Sequence, residues 1–415
     1  MSEGLIIGFD LCDNYTQIAI YDEETSDAQE IKLTDESDEI PTTICKVRRR
    51  EEWKIGEAAC EMALLGSGIA VDKLLRLVKK GGVATLEGRT YTAGELLDIY
   101  IRETLGFVTA KYDRKIEKVI YCVKELRTPL ADQIVKSCEK LGVKRENVKV
   151  LSHTEAYLYY LLRRPAEQLT NYSVLFDLSK EGLRYFECNI LRGVTPNVAQ
   201  AEVSDLEEGF SLDILESEPG RKLADNIFSS CAQRKFNGKI ISNVYLTGSG
   251  LTGIQDWGKK SLSILCNRRK VYLEKALFAK GAVWAGMGDA PACTFVCDGR
   301  ISASVGMNMT VGGVAKNITL IEAGERWYDS SASTEFYLDG EDGIDLIITP
   351  AGGRKSAVRR IPLSQFPQRP AGTTRVRLEL SFSSENELGV CIRDMGFGEI
   401  YPASSEVIEN RFSIQ

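Results

Sequence analysis

Two apolar runs in this 415-residue chain each end in an aspartate, and that pair carries its clearest chemical signal. Leu5-Ile6-Ile7-Gly8-Phe9-Asp10 and Val174-Leu175-Phe176-Asp177 read as buried strands delivering a carboxylate to a strand end, where open α/β sheets bind ligands. Two such carboxylates suit a nucleotide cleft with a hydrated metal ion, which makes Asp10 and Asp177 the candidate metal residues. A plainer use exists, because an Asp closing a buried strand can satisfy the amides of its own turn. The turns that follow, Cys12-Asp13-Asn14 and Ser179-Lys180-Glu181-Gly182, lack the run of glycines that lets backbone amides wrap a phosphate. A third apolar run, Val244-Tyr245-Leu246-Thr247, enters Gly248-Ser249-Gly250, a small-residue turn of the kind that brings backbone close to a ligand.

The elements that must position these groups follow from periodicity. Residues 5–45 alternate in short runs broken by an acidic turn at 22–27, as in an antiparallel meander. Residues 72–80 are helical in pattern, and Thr92 caps a longer helix with Leu96, Leu97, Tyr100, Ile101, Thr104 and Leu105 on one face. A strand over 116–123 leads to Thr128-Pro129, read as a cap followed by a first-turn proline, and that helix stops at Gly142. A short strand at 148–151 and an apolar helix over 155–163 follow, with His153 as a partly buried cap. The order then repeats: a second meander from 174 to 194, a helix over 222–233, a strand over 240–247 and a small-residue helix over 275–287 that must pack closely on a neighbour. Beyond about residue 292 helical periodicity disappears. Val376, Leu378, Leu380 and Phe382 alternate with polar residues and return through Leu388, Val390 and Ile392, a hairpin of a sandwich-like β-module. Arg393-Asp394 breaks that alternation.

Composition narrows the classes. A hydrophobic share of 43%, a charged share of 27% and a net charge of −7 describe an ordinary globular chain with no general attraction to nucleic acid or anionic membrane. No apolar run approaches the roughly 18 residues of a spanning helix, so the expected address is the cytoplasm. Eleven scattered cysteines without a CxxC pair read as reduced core residues, and a single histidine argues against His-dependent metal cages and triads.

Taken in order, these pieces resemble the DnaK-type seventy-kilodalton heat-shock chaperones of the actin-like ATPase superfamily. Gly8-Phe9-Asp10 is similar to that family's first phosphate motif and residues 174–182 to its second. Ile55-Gly56-Glu57-Ala58-Ala59 is similar to its Val-Gly-x-x-Ala turn, residues 154–160 to its Thr-Ala-Ala-Ala-Leu-Ala-Tyr helix, and residues 245–250 to its adenosine strand and turn. Ile361-Pro362-Leu363 and the final hairpin resemble the closing strands of its peptide-binding β-domain. The resemblance implies an α/β, actin-like/ribonuclease-H-like two-lobed ATPase fold over residues 1–288, followed by an all-β, sandwich-like substrate-binding-type domain over 289–415. The second lobe's small upper subdomain is expected to be reduced or absent, since only about 70 residues separate Asp177 from Thr247. The cofactor-binding positions carried over are Asp10, Cys12, Asp13, Asn14, Lys73, Asp177, Ser179, Gly182, Gly248, Ser249 and Gly250, with Mg-ATP or Mg-ADP as the implied ligand.

The departures set the functional expectation. Where the family has Asp-Leu-Gly-Gly-Gly-Thr, this chain has Asp177-Leu178-Ser179-Lys180-Glu181-Gly182, and Glu181 puts a negative charge near any phosphate. The family's Gly-Thr-Thr is Cys12-Asp13-Asn14, its catalytic glutamate position is Ser152, and its catalytic lysine maps to Lys73 or to Leu75. Phosphoryl transfer rests on positioning and charge neutralisation, and each lost donor raises the barrier by about 2.7–4 kcal/mol. No catalytic residue is therefore assigned. The expectation is a chaperone-like pseudo-ATPase that binds a polypeptide or protein partner through its β-domain, with residues 301–311 and 319–327 as candidate lining strands and Arg354, Lys355, Arg359 and Arg360 on a groove rim. The alternatives are an active ATP-hydrolysing chaperone and an actin-like assembly protein.

Overall fold

The computed structural model describes residues 4–32, 39–206, 210–288, 293–353 and 355–414. It is a mixed α/β structure with several sheets and no barrel, and it divides into two units, Met1–Ile190 with Ala201–Pro291, and Leu191–Gln200 with Ala292–Gln415. Residues 289–292, where composition places the domain boundary, lie outside the described residues. No helix among those described is long and apolar enough to cross a membrane.

The first unit is organised by two sheets that repeat one topology. In the first, the fully buried strand Leu5–Leu11 lies between the parallel strand Ile116–Val123 and the antiparallel strand Tyr15–Asp22, with Val148–Ser152 and Asp27–Ile31 outside them. In the second, Tyr172–Ser179 lies between the parallel strand Ile241–Thr247 and the antiparallel strand Gly182–Leu191, with Lys270–Leu273 beyond Ile241–Thr247. Each repeat ends in a helix, His153–Leu161 and Leu277–Met287, and these two pack against each other. Small residues make that possible. A Cβ on Gly281 would lie 2.0 Å from the Ala156 carbonyl oxygen, and one on Gly8 would lie 2.2 Å from the Ala279 carbonyl oxygen. The close packing expected for this helix is thus against both its counterpart and the first strand.

Local chemistry explains most of the boundaries. Thr92 caps the helix Ala93–Tyr112 in a reciprocal capping box with Glu95. Two cap readings need correction. Thr128 is the first residue of its helix, Thr128–Lys140, behind Arg127 as N-cap. His153 is likewise helical and buried, because Ser152 caps that helix by accepting from the Glu155 amide at 3.1 Å.

The second unit contains two four-stranded antiparallel sheets, one in the order Val314–Ile321, Ala303–Val311, Gly343–Pro350, Ala357–Pro362, the other Ser331–Leu338, Thr374–Ser384, Glu387–Asp394, Val407–Ser413. Within the same unit, Asn197–Gln200 pairs in parallel with Cys293–Val296. One lining strand expected over 319–327 is corrected: the strand is Val314–Ile321, and Trp327 is buried with its indole N–H on the Asp298 carbonyl at 2.9 Å. Arg393-Asp394 does not break the alternation either. Asp394 takes the next inward position and is buried against Arg369, whose Nη1 and Nη2 donate to its two oxygens at 2.9 and 2.6 Å.

Candidate functional site

The strand ends carrying Asp10 and Asp177 come together in the first unit. Asp10 is fully buried at the penultimate position of Leu5–Leu11. His153 Nε2 lies 2.7 Å from Asp10 Oδ1, and Arg184 Nη1 lies 2.8 Å from His153 Nδ1. A guanidinium only donates, so Nδ1 must be the acceptor, and the ring proton sits on Nε2 and is donated to Asp10. The imidazole is clamped by stacking on Phe278 at 4.1 Å, and Arg184 lies over the Phe186 ring at 4.8 Å. Arg184 is 3% exposed and reaches Asp205 through Nε at 3.2 Å. The result is a hydrogen-bonded relay of Asp10, His153 and Arg184 running outward from the strand end, with Arg184 ion-paired to Asp205.

Asp177 stands directly opposite Arg184 in the pairing of Tyr172–Ser179 with Gly182–Leu191. Both its carboxylate oxygens lack a hydrogen-bond partner among the described residues. Burial pushes its carboxyl up to about 7, with the Arg184 guanidinium opposing that rise and the charge of Asp10 adding to it. Asp10, Cys122 and His153 also converge with ligand atoms within 4.8 Å, a spacing that could hold a metal ion. Their chemistry argues otherwise. The proton on Nε2 occupies the lone pair a metal would need, and burial, reinforced by Asp10, raises the Cys122 and Cys12 thiols so that both stay protonated. Cys12 Sγ donates to Asp10 at 3.4 Å and Cys122 Sγ to the Phe9 carbonyl at 3.1 Å.

The two turns meet as well. Asn14 gives its backbone N–H to Glu181 Oε1 at 3.1 Å and its side-chain Nδ2 to the same oxygen at 2.6 Å. Lys73, a left-handed residue ahead of the helix Leu74–Lys79, donates to Asn14 Oδ1, and Lys124 donates to the Glu181 carbonyl at 2.9 Å. Asp13 accepts from the Arg76 amide at 2.9 Å, Ser179 from the Glu181 amide at 3.2 Å, and the buried Tyr15 hydrogen-bonds with Ser179. Of the two positions for a lysine, Lys73 reaches the turn, whereas Leu75 lines a cavity of about 390 Å³.

That cavity is rimmed by three cations, Lys79, Lys124 and Arg184, and four carboxylates, Asp13, Glu125, Glu181 and Asp205. Lys79 pairs with Glu125 at 2.8 Å, and Lys79 with Arg127 holds the Glu125 carboxyl down at about 2. The glycine turn is spent internally. Gly248 has φ +88°, and a Cβ there would lie 2.3 Å from the Leu178 carbonyl oxygen and 2.7 Å from Asp177 Oδ1. Gly250 donates its amide to Leu178 O at 2.9 Å and abuts the Leu178 and Leu212 side chains, while Ser249 is exposed. Gly182, at φ +105°, closes the tight hairpin from Ser179. In the second unit, Arg354 lies outside the described residues, and Arg360 is ion-paired with Asp342 at 2.5 Å and Asp345 at 3.1 Å.

A model described as family of unknown function (DUF5716) C-terminal matches residues 27–293, well over half of the chain. The chain belongs to the DUF5716 family. The span matched to this family includes Lys73, His153, Asp177 and Arg184 and begins after the turn at Asn14. A second model, a domain of unknown function (DUF8552), matches residues 300–414. No curated protein matches the chain.

The site therefore brings together Asp10, Cys12, Asp13, Asn14, Lys73, Asp177 and Ser179, and it adds His153 and Arg184, which belong to no motif. The only histidine of the sequence, His153, is open to two readings, a ligand contact on the cleft side or a helix cap, and it is buried inside the helix against Asp10. Arg184 carried a usable signal, a lone arginine in the otherwise apolar run Leu183-Arg184-Tyr185-Phe186, where a buried charge demands a partner.

Proposed function

We propose that this protein is a DnaK-like pseudo-ATPase: an actin-like ATPase-type fold whose nucleotide-binding groups are engaged by its own side chains, carrying a sandwich-like β-unit that binds a polypeptide or protein partner. The observation that carries the reading is the His153–Arg184 relay seated on Asp10. The repeated topology of the two sheets, with paired aspartates at equivalent strand ends, supports the fold assignment. A magnesium triphosphate does not suit the residues present. It brings several negative charges to a rim where carboxylates already outnumber cations, and each of those cations already bonds to protein groups. No step of phosphoryl transfer is derived through it.

For the β-unit, the edge strand Ala357–Pro362 is exposed along most of its length and offers backbone groups to an added strand. The experiment is isothermal titration of Mg-ATP into the purified protein with Asp10→Ala as control, alongside titration of a permanently unfolded polypeptide in both buffers. A flat nucleotide titration and one polypeptide affinity with or without Mg-ATP are expected. Micromolar nucleotide binding that Asp10→Ala abolishes, or a polypeptide affinity that shifts with nucleotide, overturns the reading.

A further inference from the structure

The contact between Asn14 and Glu181 joins turns 167 residues apart, and its donor set is that of an oxyanion site. A backbone amide and a side-chain amide of one residue converge on a single carboxylate oxygen. Every polar atom of Asn14 is committed: N–H and Nδ2 to Glu181, Oδ1 to Lys73, and the carbonyl to the Thr42 amide at 3.3 Å. Nδ2 also lies 3.4 Å from the Lys180 carbonyl. On the other side, Lys124 fixes the Glu181 carbonyl and Ser179 its amide, so the glutamate is held at its backbone as well as its tip. Charge-assisted bonds of this kind are the stronger ones, and a carboxylate delivered by the chain itself loses no translational freedom on binding.

We propose that Glu181 is the built-in occupant of an oxyanion site formed by the Asn14 turn, so that a side chain, in place of a dissociable phosphate, holds the two strand-end turns together permanently. The inference rests on the pseudo-ATPase reading for its meaning, but its test does not involve nucleotide and fails separately.

Removing the carboxylate should empty the site without touching Asp10, His153 or Arg184. Glu181→Ala is expected to melt about 2–4 °C lower, the shift for the loss of one such contact in a domain of this size. Its Asn14 amide should exchange hydrogen roughly tenfold faster. Inorganic phosphate should restore most of the lost melting temperature relative to chloride at matched ionic strength, while leaving wild type unmoved. Glu181→Gln keeps an acceptor but no charge; it is expected between the two and unresponsive to phosphate, and it carries the test if the alanine variant fails to fold. Unchanged stability and Asn14 protection in Glu181→Ala overturn the proposal. So does a loss that phosphate cannot restore, or a wild type that gains as much from phosphate as the variant.

Discussion

His153 donates to Asp10 Oδ1 at 2.7 Å while accepting from Arg184 Nη1 at 2.8 Å, so one ring bridges a buried carboxylate on one side and a buried guanidinium on the other. Removing the ring strands both. His153→Ala is expected to destabilise the first unit by about 3–5 kcal/mol, as does breaking a buried pair from one side. Arg184→Met should do similarly, and the double variant should cost less than the sum, with a coupling of about 0.5–3 kcal/mol in urea unfolding. Additive losses would show that the relay is not a unit.

Asp177 has the opposite problem, a buried carboxyl with no hydrogen-bond partner among the described residues. Its folded-state value of about 7 lies above the roughly 3.9 of an unfolded chain. Between those values the folded protein binds the extra proton, so this group's contribution is fully present below about pH 4 and is lost as pH rises through about 7. Asp177→Asn should remove that slope. It is expected to gain as much as about 4 kcal/mol at pH 8 and almost nothing at pH 4, measured by denaturant midpoints across that range.

Asp394 in the second unit behaves with the reverse sign. Burial alone would raise its carboxyl, but Arg369 and the amides of Gly396 and Ser404 overcome that and hold it down at about 2. Its stabilisation is present above the unfolded value near 3.9 and lost as pH falls through about 2, about 2–3 kcal/mol in all. Asp394→Ala should cost about 3–5 kcal/mol at neutral pH by leaving Arg369 buried and unpaired. Replacing both partners with apolar residues should be milder than either single change, read from melting curves.

Gly8 separates close packing from backbone freedom. Its missing Cβ would strike the Ala279 carbonyl and Val283 amide, so Gly8→Ala must push the strand off the helix and is expected to cost about 3 kcal/mol or more. Gly142 has φ +84° in open space, and Gly142→Ala should cost only about 1–2 kcal/mol from left-handed strain. Chemical denaturation of the two variants orders them.

Much of the fold was legible because local chemistry repeats it. The strand Ile116–Val123 and the cap at Thr92 follow from apolar runs and capping residues, which act within a few positions of themselves. Thr128 and His153 each sit one place inside the helix and not at its cap, a one-residue difference that backbone angles decide and residue type does not. The strand Val314–Ile321 lies earlier than the expected 319–327 because its residues are mostly exposed and carry little apolar–polar alternation. Asp394 looked like a break in a pattern because its partner, Arg369, lies 25 residues away.

By itself the sequence determined where carboxylates end buried strands, which turns lack glycine, and that Glu181 adds a negative charge to the second of those turns. Those are properties of one segment at a time. Only the tertiary structure decided that His153 and Arg184, from different repeats, would meet and link to Asp10 through the imidazole, that Gly248 packs on Leu178, and that Asn14 and Glu181 would bind each other. Hydrogen bonds act over about 3 Å and are blind to separation along the chain. Which donors meet which acceptors is therefore fixed by packing between elements, and no local pattern records it.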